Sequence, residues 1–310
     1  MKTIFEFKTL TEFTDYFSDE ATCVKHFTES RWRNGQYCPH CKHDKVYLCA
    51  NGKRYHCAKC KQDFTIRTKT VFGESKLPLR KWYMAVYLLS TSGKGISSVQ
   101  LAKQVGVTQK TAWFVDHRLR SAMKQNNGQL FGTIEADETY IGGKAKNMHR
   151  AKFLASGVAS GGKGKAIVAG VRSRDGEVRA TVVDAVQSNT LHPFIKANVQ
   201  AGATLYTDEH RAYNNLGYSY VRDFIRHGMK EFSKGDCNTN GIESFWALFK
   251  RGYHGIYHQM SKKHLQRYVN EFTFRLNRKA QTMQTVFTDV VSGVTDNPQL
   301  PYKKLIQNPI

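Results

Sequence analysis

An α/β protein assembled from several modules is what three patterns in the sequence predict. Four cysteines fall as two close pairs, Cys38-x-x-Cys41 and Cys57-x-x-Cys60. From Leu130 onward, short apolar strands alternate with amphipathic segments. Two of those strands end in aspartate, Asp137 and Asp208, and a later helix carries Glu243. Three strands, a helix, a strand, a helix, a strand and a helix bearing the third acid is the element order of a ribonuclease-H-like core. The expected organisation is an N-terminal helical segment over 1–33, a zinc ribbon over 34–72 and a helix-turn-helix over 76–124. The α/β core follows over 128–280 with a basic insertion at 144–165, and a tail covers 281–310.

The chain has 310 residues, of which 40% are hydrophobic, enough to bury genuine cores. Forty-seven Lys and Arg face 25 Asp and Glu, a formal net charge of +22 with a sequence pI near 9.7. An excess of that size points to a polyanionic partner, with nucleic acid ahead of a membrane surface. No apolar run approaches the roughly 20 residues that cross a bilayer, and the first residues lack the apolar stretch of a secretion signal. The expectation is a cytoplasmic protein. In that reducing compartment paired cysteines indicate metal rather than disulfides.

Residues 1–33 have the mixed apolar and charged pattern of one or two short helices. The stretch from Tyr37 to Phe64 then places two cysteine knuckles around strand-like residues, so Cys38, Cys41, Cys57 and Cys60 supply four thiolates for a structural Zn2+. Four ligands leave no open position for water, which excludes a catalytic role for that ion. After a helical stretch at Arg80 to Ser90, the segment from Gly95 to Arg120 reads as helix, Gly106 turn and helix, with Ser97 or Ser98 and Thr108 as caps. In a DNA-binding arrangement Thr108, Gln109, Lys110 and Thr111 would lead the second helix, and His117, Arg118 and Arg120 would reach phosphates. Gln125-Asn-Asn-Gly reads as a linker.

Leu130 to Ala136 reads as the first strand of the core, with Asp137 at its end. The insertion carries Lys144, Lys146, Arg150, Lys152, Lys163 and Lys165 with no acidic residue, a composition suited to phosphate contact. Ala166 to Arg172 and Glu177 to Asp184 form a hairpin, Ser188 to Val199 a crossover helix, and Ala203 to Asp208 a fourth strand. Tyr218 to Arg222 is a fifth. In the helix from Asn240, a 3.6-residue period groups Asn240, Glu243, Ala247 and Lys250 on one face, beside an apolar stripe of Ile242, Phe245 and Phe249. Lys262 to Lys279 is a further amphipathic helix.

Two strand-end aspartates and a helical glutamate suit a pair of Mg2+ or Mn2+ ions, which take oxygen ligands and serve phosphoryl transfer. Asp137, Asp208 and Glu243 are the expected ligands, with Lys250 steadying a phosphate. Asn240, one turn before Glu243, is an alternative third ligand through its amide oxygen, and the residues leave that choice open.

The motifs Tyr37-Cys-Pro-His-Cys, Glu135-Ala-Asp-Glu-Thr-Tyr-Ile-Gly-Gly-Lys, Tyr206-Thr-Asp-Glu and Thr239-Asn-Gly-Ile-Glu-Ser-Phe-Trp-Ala-Leu-Phe-Lys-Arg-Gly-Tyr resemble those of zinc-ribbon insertion-sequence transposases related to Merlin elements, insertion-sequence family 1595. The resemblance runs from about Ser18 to about Asn277. It implies a D-D-E enzyme with its acids at Asp137, Asp208 and Glu243 and Lys250 after them; some members have asparagine as the third residue, which keeps Asn240 in play. It further implies binding to double-stranded terminal inverted repeats and target DNA, strand cleavage by water, transfer of the freed 3′-hydroxyl, a homodimer or larger synaptic assembly, and a bacterial, nucleoid-associated location. Two readings compete: a domesticated DNA-binding regulator with an inactive core, and a ribonuclease-H-like nuclease without strand transfer.

Overall fold

The computed structural model describes residues 7–50, 52–124, 128–143, 150–151, 164–229 and 233–307. The chain divides into two compact units: 1–124 with 280–309, and 125–279.

The first unit opens with helices α1 (Leu10–Tyr16) and α2 (Glu20–Arg31). Thr9 and Glu12 form a reciprocal capping box at α1, and Asp19 Oδ1 accepts from Thr22 N at α2. A small antiparallel sheet follows, β1 (Val46–Leu48), β2 (Tyr55–Cys57) and β3 (Asp63–Phe64), in that spatial order. Helix α3 (Leu79–Thr91) buries Trp82, Tyr83, Val86 and Leu89. Its N-cap position is Pro78, which has no capping side chain. The Glu20 carboxylate takes that role from α2, accepting from Leu79 N at 2.7 Å and Arg80 N at 3.0 Å. Helices α4 (Ser98–Val105) and α5 (Gln109–Ala122) are joined by a turn at Gly106.

In the second unit a five-stranded sheet contains β4 (Thr133–Ile141), β5 (Ala166–Ser173), β6 (Val178–Val183), β7 (Thr204–Thr207) and β8 (Val221–Phe224) in the order β6-β5-β4-β7-β8. The first three run antiparallel, and β4, β7 and β8 run parallel. Helix α6 (Ser188–Asn198) is the crossover that a parallel return requires. It packs Leu191 and Ile195 with Ile134, Ala136 and Leu205 on one face. The opposite face is covered by α7 (Asn240–Gly252) and α8 (Leu265–Asn277), through Ile242, Phe245, Trp246, Phe249 and Phe272 against Val168 and Val178. Side chains of β4 alternate between these faces, so Ile134 and Ala136 point one way and Glu135 and Asp137 the other.

Three sequence expectations change. The first strand of the core runs on to Ile141, which puts Asp137 in mid-strand instead of at its end, because antiparallel pairing with β5 continues through Ile141↔Ala166. Between β7 and β8 the chain makes only short 3-10 turns, Arg211–Tyr213 and Leu216–Tyr218, where a helix was expected. The segment expected as a tail over 281–310 is mostly helical among its described residues: α9 (Met283–Asp296) packs on α2, α3 and α5 and belongs to the first unit, and a short helix α10 (Tyr302–Gln307) follows. Val286, Phe287, Val290, Val291 and Val294 form its buried stripe, with Phe287 against Phe13, Phe17 and Tyr83.

Candidate active site

The acids are positioned by strand register. On β4 and β7 the last paired residues are Glu135 and Tyr206, and Asp137 and Asp208 each lie two positions further along. Asp208 follows directly after β7, near enough for its charge to act on Asp137. Burial pushes the Asp137 pKa from an ordinary 3.8 up to about 7, helped by the neighbouring carboxylates of Glu138 and Asp208 and opposed by a hydrogen bond from Trp246. Trp246 Nε1 donates to Asp137 Oδ2 at 3.0 Å. Glu138, on the other face, is also raised, chiefly by burial, while the Tyr213 hydroxyl donates to its Oε2 at 2.7 Å. Asp208 Oδ1 accepts from His210 N at 3.0 Å.

Helix α7 presents Glu243, Ala247 and Lys250 outward, while Ile242, Phe245, Trp246 and Phe249 are buried. Glu243 Oε1 accepts from Thr239 Oγ1 at 2.9 Å, and Asn240 N donates to Asn238 Oδ1 at 3.3 Å. Among the described residues, the three acids do not draw together tightly enough to make a closed cation cage; the four cysteines alone place three or more ligand atoms within 4.8 Å of one another. Carboxylates that are open in this way suit hard cations that keep several waters and complete their shell with substrate oxygen. The Asp137 carboxyl is raised first by burial and further by the nearby charges of Glu138 and Asp208.

Beside the helix start, a cavity of about 300 Å³ is lined by Glu135, Arg172, Arg174, Asn238, Asn240 and Gly241. Glu135 is 2% exposed, pairs with Arg174 Nε at 3.2 Å and accepts from Ile242 N at 2.7 Å. Sequence reasoning passed over Glu135 and Trp246 as functional positions. The signal for Glu135 was present: period-two alternation puts it on the same strand face as Asp137.

In the ribbon, Cys38 Sγ is 3.7 Å from Cys60 Sγ and Cys41 Sγ is 3.5 Å from Cys57 Sγ. Two copies of one turn create this cluster. Lys42 N donates to Cys38 O and Lys61 N to Cys57 O, with Lys42 and Lys61 at φ 64 and 56. Four thiolates at tetrahedral reach fit Zn2+ and close its coordination shell.

Of the positions expected to meet DNA on α5, Thr108, Gln109 and Lys110 are exposed and Thr111 is half-buried. Thr108 Oγ1 caps the helix by accepting from Thr111 N, and Gln109 Nε2 donates to Ser98 Oγ at 2.8 Å. The expectation that His117, Arg118 and Arg120 reach phosphates is overturned, since all three are at most 1% exposed. Arg118 donates to Gly73 O at 2.7 Å and lies over the rings of Trp82 and Phe114, and Arg120 faces Asp116 at 3.9 Å. The second half of α5 is core, so its cations hold the unit together. In the basic insertion, Arg150 is exposed, and Lys144, Lys146 and Lys152 lie outside the described residues. No helix among the described residues is long and apolar enough to cross a membrane.

Two family models match separate stretches of the chain. Residues 129–277 match the ISXO2-like transposase domain, and residues 18–63 match the transposase zinc-ribbon domain. A Halobacterium salinarum protein described as an uncharacterized protein in transposable element ISH50 is 30% identical over 271 residues, covering 84% of this chain and 91% of that one. An uncharacterized transposase-like protein of Haemophilus influenzae is 31% identical over 121 residues, 38% of this chain and 95% of that one. A transposase of an insertion sequence is the class these domains define. Within that class the chain belongs to the IS1595 family, whose members carry a zinc ribbon ahead of the transposase domain.

Proposed function

We propose that the protein binds the terminal inverted repeats of its element and performs metal-dependent DNA strand cleavage followed by transfer of the 3′-hydroxyl into target DNA, on a ribonuclease-H-like core. The observation that carries this reading is the electrostatic proximity of Asp137 and Asp208, each two positions beyond the last paired residues of parallel strands, together with a helix whose exposed face holds Glu243 and Lys250, in a segment that matches a transposase domain. The strand order, three antiparallel strands followed by two parallel ones with helices on both faces, supports the assignment of the core.

Asp137, Asp208 and Glu243 would hold two divalent ions, which when bound activate the attacking oxygen and stabilise the leaving one. Trp246 orients the Asp137 carboxylate through its indole N–H. Lys250, two turns beyond Glu243 on the same face, neutralises a non-bridging phosphate oxygen. Asn240 lies at the first turn of α7 and offers its amide oxygen as the alternative third ligand. Thr108, Gln109, Lys110 and Thr111 lead α5 towards base edges or phosphates, and the net charge of +22 with the basic segment from Lys144 to Lys165, Arg150 included, supplies attraction for the backbone. Two DNA ends must be held together, which favours a homodimer or larger assembly associated with the nucleoid.

The test is cleavage of end-labelled DNA from the sequence flanking the gene, with Mg2+ or Mn2+, by the wild type and Asp208→Asn. A discrete nick leaving a 3′-hydroxyl, made only by the wild type and followed by joining, is expected. Cutting by Asp208→Asn refutes the metal-ligand role. Cutting without joining indicates a nuclease, and specific retention without cutting indicates a regulator.

A further inference from the structure

We propose that Glu135 is a positioning residue which fixes the axial register of α7 on β4, and so sets where the helix-borne acid stands relative to Asp137. The inference rests on reading Asp137 and Glu243 as partners in one site. Two rungs join the strand to the helix: Glu135 Oε2 accepts from Ile242 N at 2.7 Å, and Asp137 Oδ2 accepts from Trp246 Nε1 at 3.0 Å. Two residues of strand advance about 6.7 Å. Four residues of helix advance about 6 Å. The rungs leave two successive positions on one face of the strand and reach two successive turns of the helix, so together they tie strand and helix at two points.

A glycine clears the way for each rung. A Cβ on Gly241 would stand 2.6 Å from Glu135 Oε2, and a Cβ on Gly170, which pairs with Asp137 across the sheet, would stand 2.8 Å from the Trp246 ring. An added Cβ would force the Trp246 ring aside at Gly170 and push the Glu135 carboxylate off its hydrogen bond at Gly241. Glu135 is itself held by Arg174, which also donates to Asp236 O at 2.9 Å, while Arg172 donates to Gly241 O and to Ser244 Oγ. The sheet therefore grips the chain from Asp236 to Trp246 on both sides of the helix start. A carboxylate at a helix N-terminus is also favoured by the exposed amide dipoles there.

A one-residue slip of α7 would carry Glu243 about 1.5 Å along the axis and turn it by about 100°. Misplacement on that scale costs a catalytic constellation on the order of a hundredfold in rate. Glu135 touches no reacting atom in this account; it acts through the helix.

The experiment compares Glu135→Ala, Glu135→Gln and Gly241→Ala in the full chain by DNA-end affinity, cleavage rate against Mg2+ concentration, and amide hydrogen exchange across residues 238–246 without DNA. Expected for Glu135→Ala and Gly241→Ala are unchanged DNA affinity, a fall in kcat of between about ten- and a hundredfold, a raised Mg2+ concentration for half-maximal cutting, and faster exchange in 238–246. Glu135→Gln keeps an acceptor for Ile242 N and should recover most of the rate. A folded Glu135→Ala that cuts with wild-type kcat and Mg2+ dependence, or leaves exchange in 238–246 unaltered, overturns the proposal. If the Glu135 variants do not fold, Arg174→Gln, on the half-exposed side of the same ion pair, must shift exchange and Mg2+ demand in the same direction, and no shift overturns it. Should the wild type fail to cut DNA, the functional reading falls, and the exchange measurement still decides whether Glu135 sets the register.

Discussion

The cysteine cluster of the ribbon, which fits zinc, and the carboxylates of the second unit, proposed above to hold divalent cations, are built in opposite ways. Each half of the cysteine site is one tight turn, repeated almost atom for atom, so local sequence alone shapes it. The acids come from β4, the residue after β7, and α7, three segments far apart in the chain that the folding of the second unit must bring to one region. All four sulfurs already face one another, and they close a coordination shell. The carboxylates stay apart, leaving part of the shell to other oxygens. A metal that stabilises a fold is enclosed by its neighbours in sequence, whereas one that acts on a polymer is bracketed by distant residues that leave the polymer room.

That contrast can be tested by removing each ligand set. Cys57→Ser with Cys60→Ser should release zinc and unfold the ribbon, forfeiting a binding term on the order of 10 kcal/mol that is also folding energy. Metal analysis and amide spectra of residues 38–64 check this, and an unchanged zinc content would sink the assignment. A smaller effect is expected at Asp137, whose folded pKa of about 7 exceeds the ordinary 3.8. Between those values the folded state keeps a proton that the unfolded state has released, so the stability this group contributes at low pH is lost as pH rises through 7. In divalent-free buffer, thermal melts of the wild type should therefore fall over that window and those of Asp137→Asn should fall less; equal slopes would contradict the shift. The smallest stability change belongs to Glu243→Gln, an exposed position on α7, where about 0.5 kcal/mol or less is expected. Cleavage should nevertheless be lost, and a variant that cuts at the wild-type rate would transfer the third ligand's role to Asn240.

The ribbon was legible in the sequence because its chemistry is local, in two Cys-x-x-Cys pairs with strand-like residues between them. Asp137, Asp208 and the face of α7 were legible for a related reason, since strand and helix periods assign faces without any knowledge of tertiary contacts. The buried end of α5 was not. A basic helix following a polar turn gave no sign that Arg118 would lie between Trp82 and Phe114, or that Arg120 would face Asp116, because those partners depend on packing. The ties from Glu135 and Trp246 to α7 and β4 also join residues more than a hundred positions apart. Helix α9 was missed although its signals are local, with Thr282 as a cap and a valine and phenylalanine stripe behind it.

That helix bears on how the protein is made. The first unit is discontinuous: the Phe13, Phe17 and Tyr83 cluster is completed by Phe287, which a ribosome adds only after the whole catalytic unit has been synthesised. A nascent chain that stops early thus carries the ribbon and the α4–α5 pair on an unfinished core, with the apolar surfaces of α2, α3 and α5 uncovered. Exposed apolar surface of that kind makes a partial chain prone to aggregation. The first unit therefore completes its core only once residues 283–296 have been made.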